Sequence, residues 1–116
     1  MAGAFGATPP PQLLSATINT NGTSLTLVFS RRVRNLRDPD GGDINVDGYA
    51  LSGGQALSTA LSTDNGVSWN IGCAQVYQGA ALTLDYIPGT TEDLSGIALA
   101  AFSGLPVTNH STQPEP

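Results

Sequence analysis

The sequence has no lysine, one cysteine and one histidine among its 116 residues. Because Cys73 is alone, an intrachain disulfide is excluded and the fold must be held by its core. The single histidine, His110, lies close to a polar C-terminal segment, which leaves no credible nucleophile, base and acid set. No apolar run approaches the roughly 18 residues that span a bilayer. These absences argue against an enzyme, a disulfide scaffold and a membrane-inserted protein.

Positive charge is also scarce. The sequence has four arginines and nine acidic residues, which gives a formal net charge of −5. A phosphate-binding surface normally needs an excess of Lys and Arg, so the balance argues against nucleic acid as a partner. An apolar fraction of 40% with only 11% charged residues is typical of a folded chain, and the length fits one domain.

Glycine and proline, with 14 and 8 residues, separate short runs rich in Thr, Ser and Val. The runs alternate apolar and polar side chains, which predicts strands, and Asn21-Gly22 predicts a hairpin turn. The predicted strands are 13–19, 24–30, 49–52, 57–62, 67–74, 81–86 and 105–109. About seven strands in a single domain predict an all-β fold, an antiparallel immunoglobulin-like β-sandwich.

Three segments follow from this pattern. Residues 1–12 are rich in Pro, Gly and Ala and predict an extended N-terminal arm, because proline fixes φ and removes donors. Residues 13–110 form the predicted sandwich, and residues 111–116 a polar tail. The arm has neither the basic nor the apolar region of a secretory signal. A small stand-alone protein and one repeat of a larger protein are both open interpretations.

All basic side chains lie within seven residues. They are Arg31, Arg32, Arg34 and Arg37. Arginine is enriched in interface contacts, so this cluster predicts a surface that docks an acidic protein partner. The alternative is local pairing with neighbouring acids, which contributes little at an exposed site. Those acids are Asp38, Asp40, Asp43 and Asp47.

A second candidate site is the turn 38–43, where Asp38, Asp40 and Asp43 could offer oxygen ligands to calcium. The spacing departs from a calcium-binding helix-loop-helix, since Gly42 precedes Asp43 and the closing Glu is absent. The mismatch favours a solvated acidic turn over a calcium site. No other cofactor is expected.

The strand at 67–74 places Trp69, Ile71 and Cys73 on one apolar face. This alternation favours a buried, neutral thiol over an activated nucleophile. It also favours Trp69 as the core aromatic rather than as a carbohydrate-stacking residue. The other six aromatic residues are scattered, so a carbohydrate-binding module ranks last.

Two blocks carry a resemblance to a known family. P-x-L-x-S-A-T-I-N, starting at Pro11, precedes N-G-T-S-L-T-L-V-F-S, and E-D-L-S-G-I-A-L-A-A-F-S-G-L-P-V-T-N spans 92–109. Over almost the whole chain the sequence resembles bacterial immunoglobulin-like (SwmB-like) repeats of surface adhesins and phage virion proteins. The resemblance implies a sandwich used for spacing, adhesion or assembly, with no active site to carry over. Arg31 and Ile97 depart from the family pattern, so no cation site is carried over.

These observations together predict a non-enzymatic structural and interaction module. The first interpretation is a phage virion accessory protein that decorates a capsid or tail. Its partners would be capsid or tail subunits, or further copies of itself. The alternative is a repeat of a bacterial cell-surface adhesin that acts as a spacer or binds a ligand.

Overall fold

The computed structural model describes residues 9–34, 48–62, 66–87 and 91–116, and over these ranges the chain is all-β. In them, no helix is long and apolar enough to cross a membrane. The strands are β1 (Leu13–Ile18), β2 (Ser24–Phe29), β3 (Val33–Arg34), β4 (Tyr49–Leu51), β5 (Leu57–Ser62), β6 (Ser68–Cys73), β7 (Leu82–Tyr86), β8 (Glu92–Asp93) and β9 (Phe102–Asn109).

Seven of these strands form one sheet in the order β4-β7-β9-β1-β2-β6-β5. All pairings in it are antiparallel except that of β1 with β9, which is parallel and joins Thr17 to Thr108 and Ile18 to Asn109. The short strands β3 and β8 form a separate two-stranded sheet. The parallel pair therefore connects a four-stranded half, β1-β2-β6-β5, to a three-stranded half, β4-β7-β9.

Alternation along the strands directs apolar side chains from both halves into one core, so the seven-stranded sheet is curled. Each fully buried aliphatic or Phe side chain contributes about 1.5–3 kcal/mol to folding. Tyr86 lies at the centre of an aromatic cluster in the three-stranded half. Its ring centroid is 4.6 Å from that of Tyr49 and 5.8 Å from that of Phe102. The buried apolar residues include Ile18, Leu25, Leu27, Phe29, Val33, Ile71, Val76, Leu84, Tyr86 and Leu99.

The seven predicted strands are all present, and the all-β prediction is confirmed. The last strand begins at Phe102, three residues before the predicted start. A bulge explains the difference, because Gly104 adopts a left-handed φ of 69° and interrupts the alternation. Its N–H donates to Asp85 Oδ1 at 2.7 Å, which keeps the strand paired through the bulge. The two-residue strands β3 and β8 were not predicted.

Trp69 packs against the core, as predicted, but it is not the central aromatic residue. Its indole is half-buried at the margin of the core and donates from Nε1 to the Gly66 carbonyl at 3.0 Å. The large aromatic residues in the centre are Phe29 and Tyr86, with 1% and 2% of their surface exposed.

Cys73 lies on the apolar face and is half-buried. Burial raises the pKa of its thiol, which favours the neutral form.

The segment before β1 and the segment after β9 lie at opposite ends of the sheet. Strand β1 begins with Leu13 opposite Phe29 and ends with Ile18 opposite Leu25, a span of about 17 Å at ~3.3 Å per residue. Arg31 follows Phe29 at the end that we call the arginine end. At the other end, which we call the tail end, the N–H of Thr112 donates to the Thr20 carbonyl at 2.9 Å.

Residues near both termini are held against the sheet. Pro11 is buried, and the N–H of Ser30 donates to the Gln12 carbonyl at 2.8 Å. At the tail end Ser111 is 5% exposed, and its hydroxyl donates to the Val76 carbonyl at 2.7 Å. The N–H of Gln78 donates to the Gln113 carbonyl at 2.8 Å. Residues 11–12 and 111–113 are therefore part of the folded body.

Candidate partner-binding site at the arginine end

The arginine end is built around the small sheet of β3 and β8. Val33 lies opposite Asp93, and Arg34 lies opposite Glu92. Opposite charges at directly facing positions of an antiparallel pair attract, and Arg34 Nη2 lies 2.6 Å from Glu92 Oε2. The two side chains remain 50% and 28% exposed, so water screens this pair.

Asp93 is the most heavily bonded side chain at this end. Its Oδ2 accepts from Nε of Arg31 at 3.0 Å and lies 2.9 Å from Nη2 of the same residue. Its Oδ1 accepts from the backbone N–H groups of Ser95 at 2.9 Å and Ile97 at 2.8 Å. Only 6% of the side chain is exposed. These charge-assisted hydrogen bonds hold the Arg31 side chain and the turn at Ser95–Ile97 in fixed positions relative to Asp93.

These contacts lower the pKa of Asp93 below its usual value. The hydrogen bond from the Ile97 N–H is the largest cause, and the Arg31 guanidinium and the Ser95 N–H act in the same direction. Partial desolvation opposes them and is outweighed. Asp93 is therefore an anion throughout the neutral range.

The turn that follows β8 is shaped by the same residue. The N–H of Gly96 donates to the Asp93 carbonyl at 3.0 Å, and the N–H of Asp93 donates to the Ile97 carbonyl at 2.9 Å. Gly96 has a left-handed φ of 88°. This is the pattern of a tight hairpin turn closed by a left-handed glycine, with Asp at its first position. The turn presents Leu94 outward with 53% of its surface exposed.

An open groove of about 580 Å³ lies between this turn and the segment that follows β2. We call it the arginine groove. Its apolar lining comes from Val67, Leu94 and Ile97, and the Arg31–Asp93 pair lies beside them. Arg32 is exposed at the rim and forms no ion pair within the described part of the chain. Among the described residues, an apolar surface thus lies beside a cation without an ion-pair partner, which suits a ligand that offers apolar groups beside a carboxylate.

The structure gives the three described arginines different roles. Arg31 and Arg34 pair with Asp93 and Glu92, which lie 62 and 58 residues further along the chain. The nearby acids Asp38, Asp40, Asp43 and Asp47 lie outside the described residues, so local pairing with them stays a prediction. Sequence reasoning also missed the two distant acids. The sequence signal that could have found them is the Glu92-Asp93 pair just before the Ser95-Gly96 turn.

Arg37 and the calcium candidates Asp38, Asp40 and Asp43 lie outside the described residues, so their roles stay predictions. Within the described ranges no three His, Cys, Asp or Glu side chains are grouped as a metal site. Asp93 could not easily add a cation, because both of its oxygens already accept hydrogen bonds. Arg31 lies where the family resemblance would place an acid, and its guanidinium pairs directly with Asp93.

Comparison with known proteins finds structural likeness but no sequence match. No family model and no curated protein matches the sequence. The fold is similar to part of the crystal structure of the S-layer protein rSbsC(31-844), with a TM-score of 0.67 and 14% sequence identity. The likeness covers 92% of this chain but 14% of that chain. At this identity it shows a shared fold, found there as a small part of a much longer protein.

Proposed function

We propose that the chain is an immunoglobulin-like β-sandwich that acts as a non-enzymatic structural and protein-interaction module at a cell surface. The observation that carries the proposal is the likeness to an S-layer protein over 92% of the chain. An S-layer protein is a structural protein of the cell surface. The absence of a complete nucleophile, base and acid set from the sequence agrees with a structural role.

The strand order supports the immunoglobulin-like assignment. Taking the seven long strands in chain order as A to G, the four-stranded half reads A-B-E-D and the three-stranded half reads C-F-G. This is the arrangement of strands in constant-type immunoglobulin sandwiches. The parallel contact of β1 with β9 then joins the first strand to the last across the two sheets.

We propose the arginine groove as the surface that contacts a protein partner. Arg32 supplies a cation that has no ion-pair partner among the described residues, and burial of the apolar lining against a partner is favourable. Arg31 and Arg34 support the groove, since their ion pairs hold β8 and its turn in place. Arg37 extends the predicted cationic surface. An acidic protein surface is the partner that these charges fit.

The location can be tested by immunogold labelling of intact cells and of purified phage particles with antibodies against the chain. Label on intact, unpermeabilised cells is the expected result. Label on the capsid or tail of purified particles would instead favour the alternative that the family resemblance implies, a virion accessory protein. Label confined to the cell interior would contradict both versions of the structural role.

The proposed contact surface can be tested with Arg32→Glu. Binding of the labelled chain to cell envelopes should weaken at low salt and approach the wild-type value at high salt, where charges are screened. Thr26→Glu on β2 controls for an added carboxylate away from the groove, and Arg32→Gln matches its change of one unit of charge. Equal loss from Thr26→Glu and Arg32→Gln would contradict a role for Arg32.

A further inference from the structure

We propose that the arginine groove binds the C-terminal segment 113–116 of a second copy of this chain, so that copies associate head to tail. This inference rests on the proposed interaction role and names the partner. The groove lies at the arginine end and the segment leaves the body at the tail end, so each copy carries both halves of the contact.

The groove defines the chemistry of what it can accept. Arg32 is the available cation among the described residues, since Arg31 and Arg34 already pair with Asp93 and Glu92. Exposed apolar surface lies beside it, most of all on Leu94. A ligand that fits this groove therefore presents one carboxylate between apolar groups. Its backbone should lose little conformational entropy on binding.

The C-terminal segment has those properties. Its sequence is Gln-Pro-Glu-Pro, and Pro114, Glu115 and Pro116 are all exposed. Proline on both sides favours an extended polyproline II backbone, which costs little entropy to bind and suits apolar grooves. Glu115 would lie opposite Arg32, with the proline rings on Leu94 and its apolar neighbours.

Glu115 also stands apart from the other acids that the structure describes. Glu92 and Asp93 are in ion pairs, and Asp85 accepts the Gly104 N–H. Glu115 forms no hydrogen bond or ion pair in the described part of the chain. Within the described ranges, one end of the body thus carries a cation without an ion-pair partner beside apolar surface, and the other carries such an anion between prolines.

Geometry prevents the segment from reaching the groove of its own chain. The Gln113 carbonyl accepts from the Gln78 N–H at the tail end. Glu115 is two residues further, a reach of about 7 Å at most. Strand β1 alone separates the two ends by about 17 Å. The contact must therefore form between copies, and because it joins two different surfaces it repeats into open chains or closed rings.

The test is sedimentation velocity of the full chain over a concentration series at low salt, with Arg32→Glu and Glu115→Arg. The wild-type chain should self-associate with increasing concentration. Each variant alone should weaken self-association at least about fivefold, because each sets like charges against one another. An equimolar mixture of the two variants should associate again, since each tail then meets a groove of opposite charge.

The mixture is the decisive measurement, because a misfolded variant would not regain association when mixed. The inference would be overturned if the equimolar mixture of the two variants stayed monomeric. It would also be overturned if the wild-type chain were monomeric at about 1 mM. Deletion of residues 1–8 tests the arm as a rival occupant. Association that responds to this deletion and not to removal of 114–116 would assign the groove to the arm.

The two proposals fail in different ways. A chain that labels the cell surface but never self-associates leaves the structural role standing and overturns the head-to-tail contact. A chain that self-associates as described but is found only inside cells overturns the cell-surface role and leaves the contact standing.

Discussion

The guanidinium of Arg31 and the carboxylate of Asp93 join two segments that lie 62 residues apart in the chain. The same guanidinium donates from Nη2 to the Pro9 carbonyl, and the same carboxylate holds the turn through Ser95 and Ile97. One ion pair therefore ties the end of the N-terminal segment, the strand that follows β2 and the turn after β8 into a single unit.

Replacing Asp93 should destabilise the arginine end. In Asp93→Asn one oxygen can still accept from the turn, but the charge that faces Arg31 is lost. We expect a melting temperature several degrees below that of the wild-type chain, measured by circular dichroism. Asp93→Ala should lower it further, because the turn N–H groups then also lose their acceptor.

Glu92→Gln is the matched control. It removes the same charge from the neighbouring residue, but the Glu92 pair with Arg34 is far more exposed. An exposed ion pair is worth about 1 kcal/mol at most. If the two substitutions lowered the melting temperature equally, Asp93 would have no special structural role.

The stabilisation from Asp93 should depend on pH. Its pKa is lower in the folded chain than the ordinary 3.8, so folding favours the ionised form. Above pH 3.8 this contribution is fully present, and as the pH falls through the lower folded pKa it is lost. The difference in unfolding free energy between wild type and Asp93→Asn should be constant at neutral pH and shrink below about pH 4.

Urea unfolding of both chains at a series of pH values measures that difference. Subtracting the two unfolding free energies at each pH removes the contributions that the two chains share. A difference that stays the same down to about pH 2 would show that the charge of Asp93 is not the source of its stabilisation.

A buried hydrogen bond joins β4 to the segment before β8. Tyr49 Oη lies 2.9 Å from Thr91 Oγ1, and Thr91 is 1% exposed. Thr91→Val in the wild-type chain should cost about 1 kcal/mol, because the hydrogen bond is lost. In a Tyr49→Phe background the same substitution should be neutral or stabilising, since it removes a buried hydroxyl that has lost its partner.

Chemical denaturation of the four chains in this cycle gives both values. The loss or reversal of the cost in the Tyr49→Phe background is the expected signature of a direct bond. If Thr91→Val cost the same in both backgrounds, the two hydroxyls would be energetically independent.

The sequence predicts the long strands well because their signal is local. Leu25, Leu27 and Phe29 alternate within six residues, and all three are buried as the pattern predicts. The candidate site has no such local signal. Arg31 gives no indication that its partner lies 62 residues away, and a two-residue strand such as Glu92–Asp93 is too short to show a period.

The last prediction concerns two glycines with similar backbone but different surroundings. Gly22 and Gly79 have left-handed φ values of 75° and 81°. A Cβ on Gly79 would have no heavy atom within 4 Å, whereas a Cβ on Gly22 would overlap the Val76 carbonyl and lie 2.7 Å from Ser111 Oγ. Gly79→Ala should therefore cost only the backbone strain, about 1–2 kcal/mol.

Gly22→Ala should cost more than Gly79→Ala by about 1–3 kcal/mol, the usual range for forcing atoms into packed space. The overlap would also displace Ser111, whose hydroxyl bonds the Val76 carbonyl at 2.7 Å. Urea unfolding compares the two variants, and amide exchange at residues 110–113 reports whether the tail end is released. Equal costs would mean that the turn shifts to admit the methyl group. A larger cost with faster exchange at residues 110–113 would show that Gly22 positions the segment from which Glu115 projects.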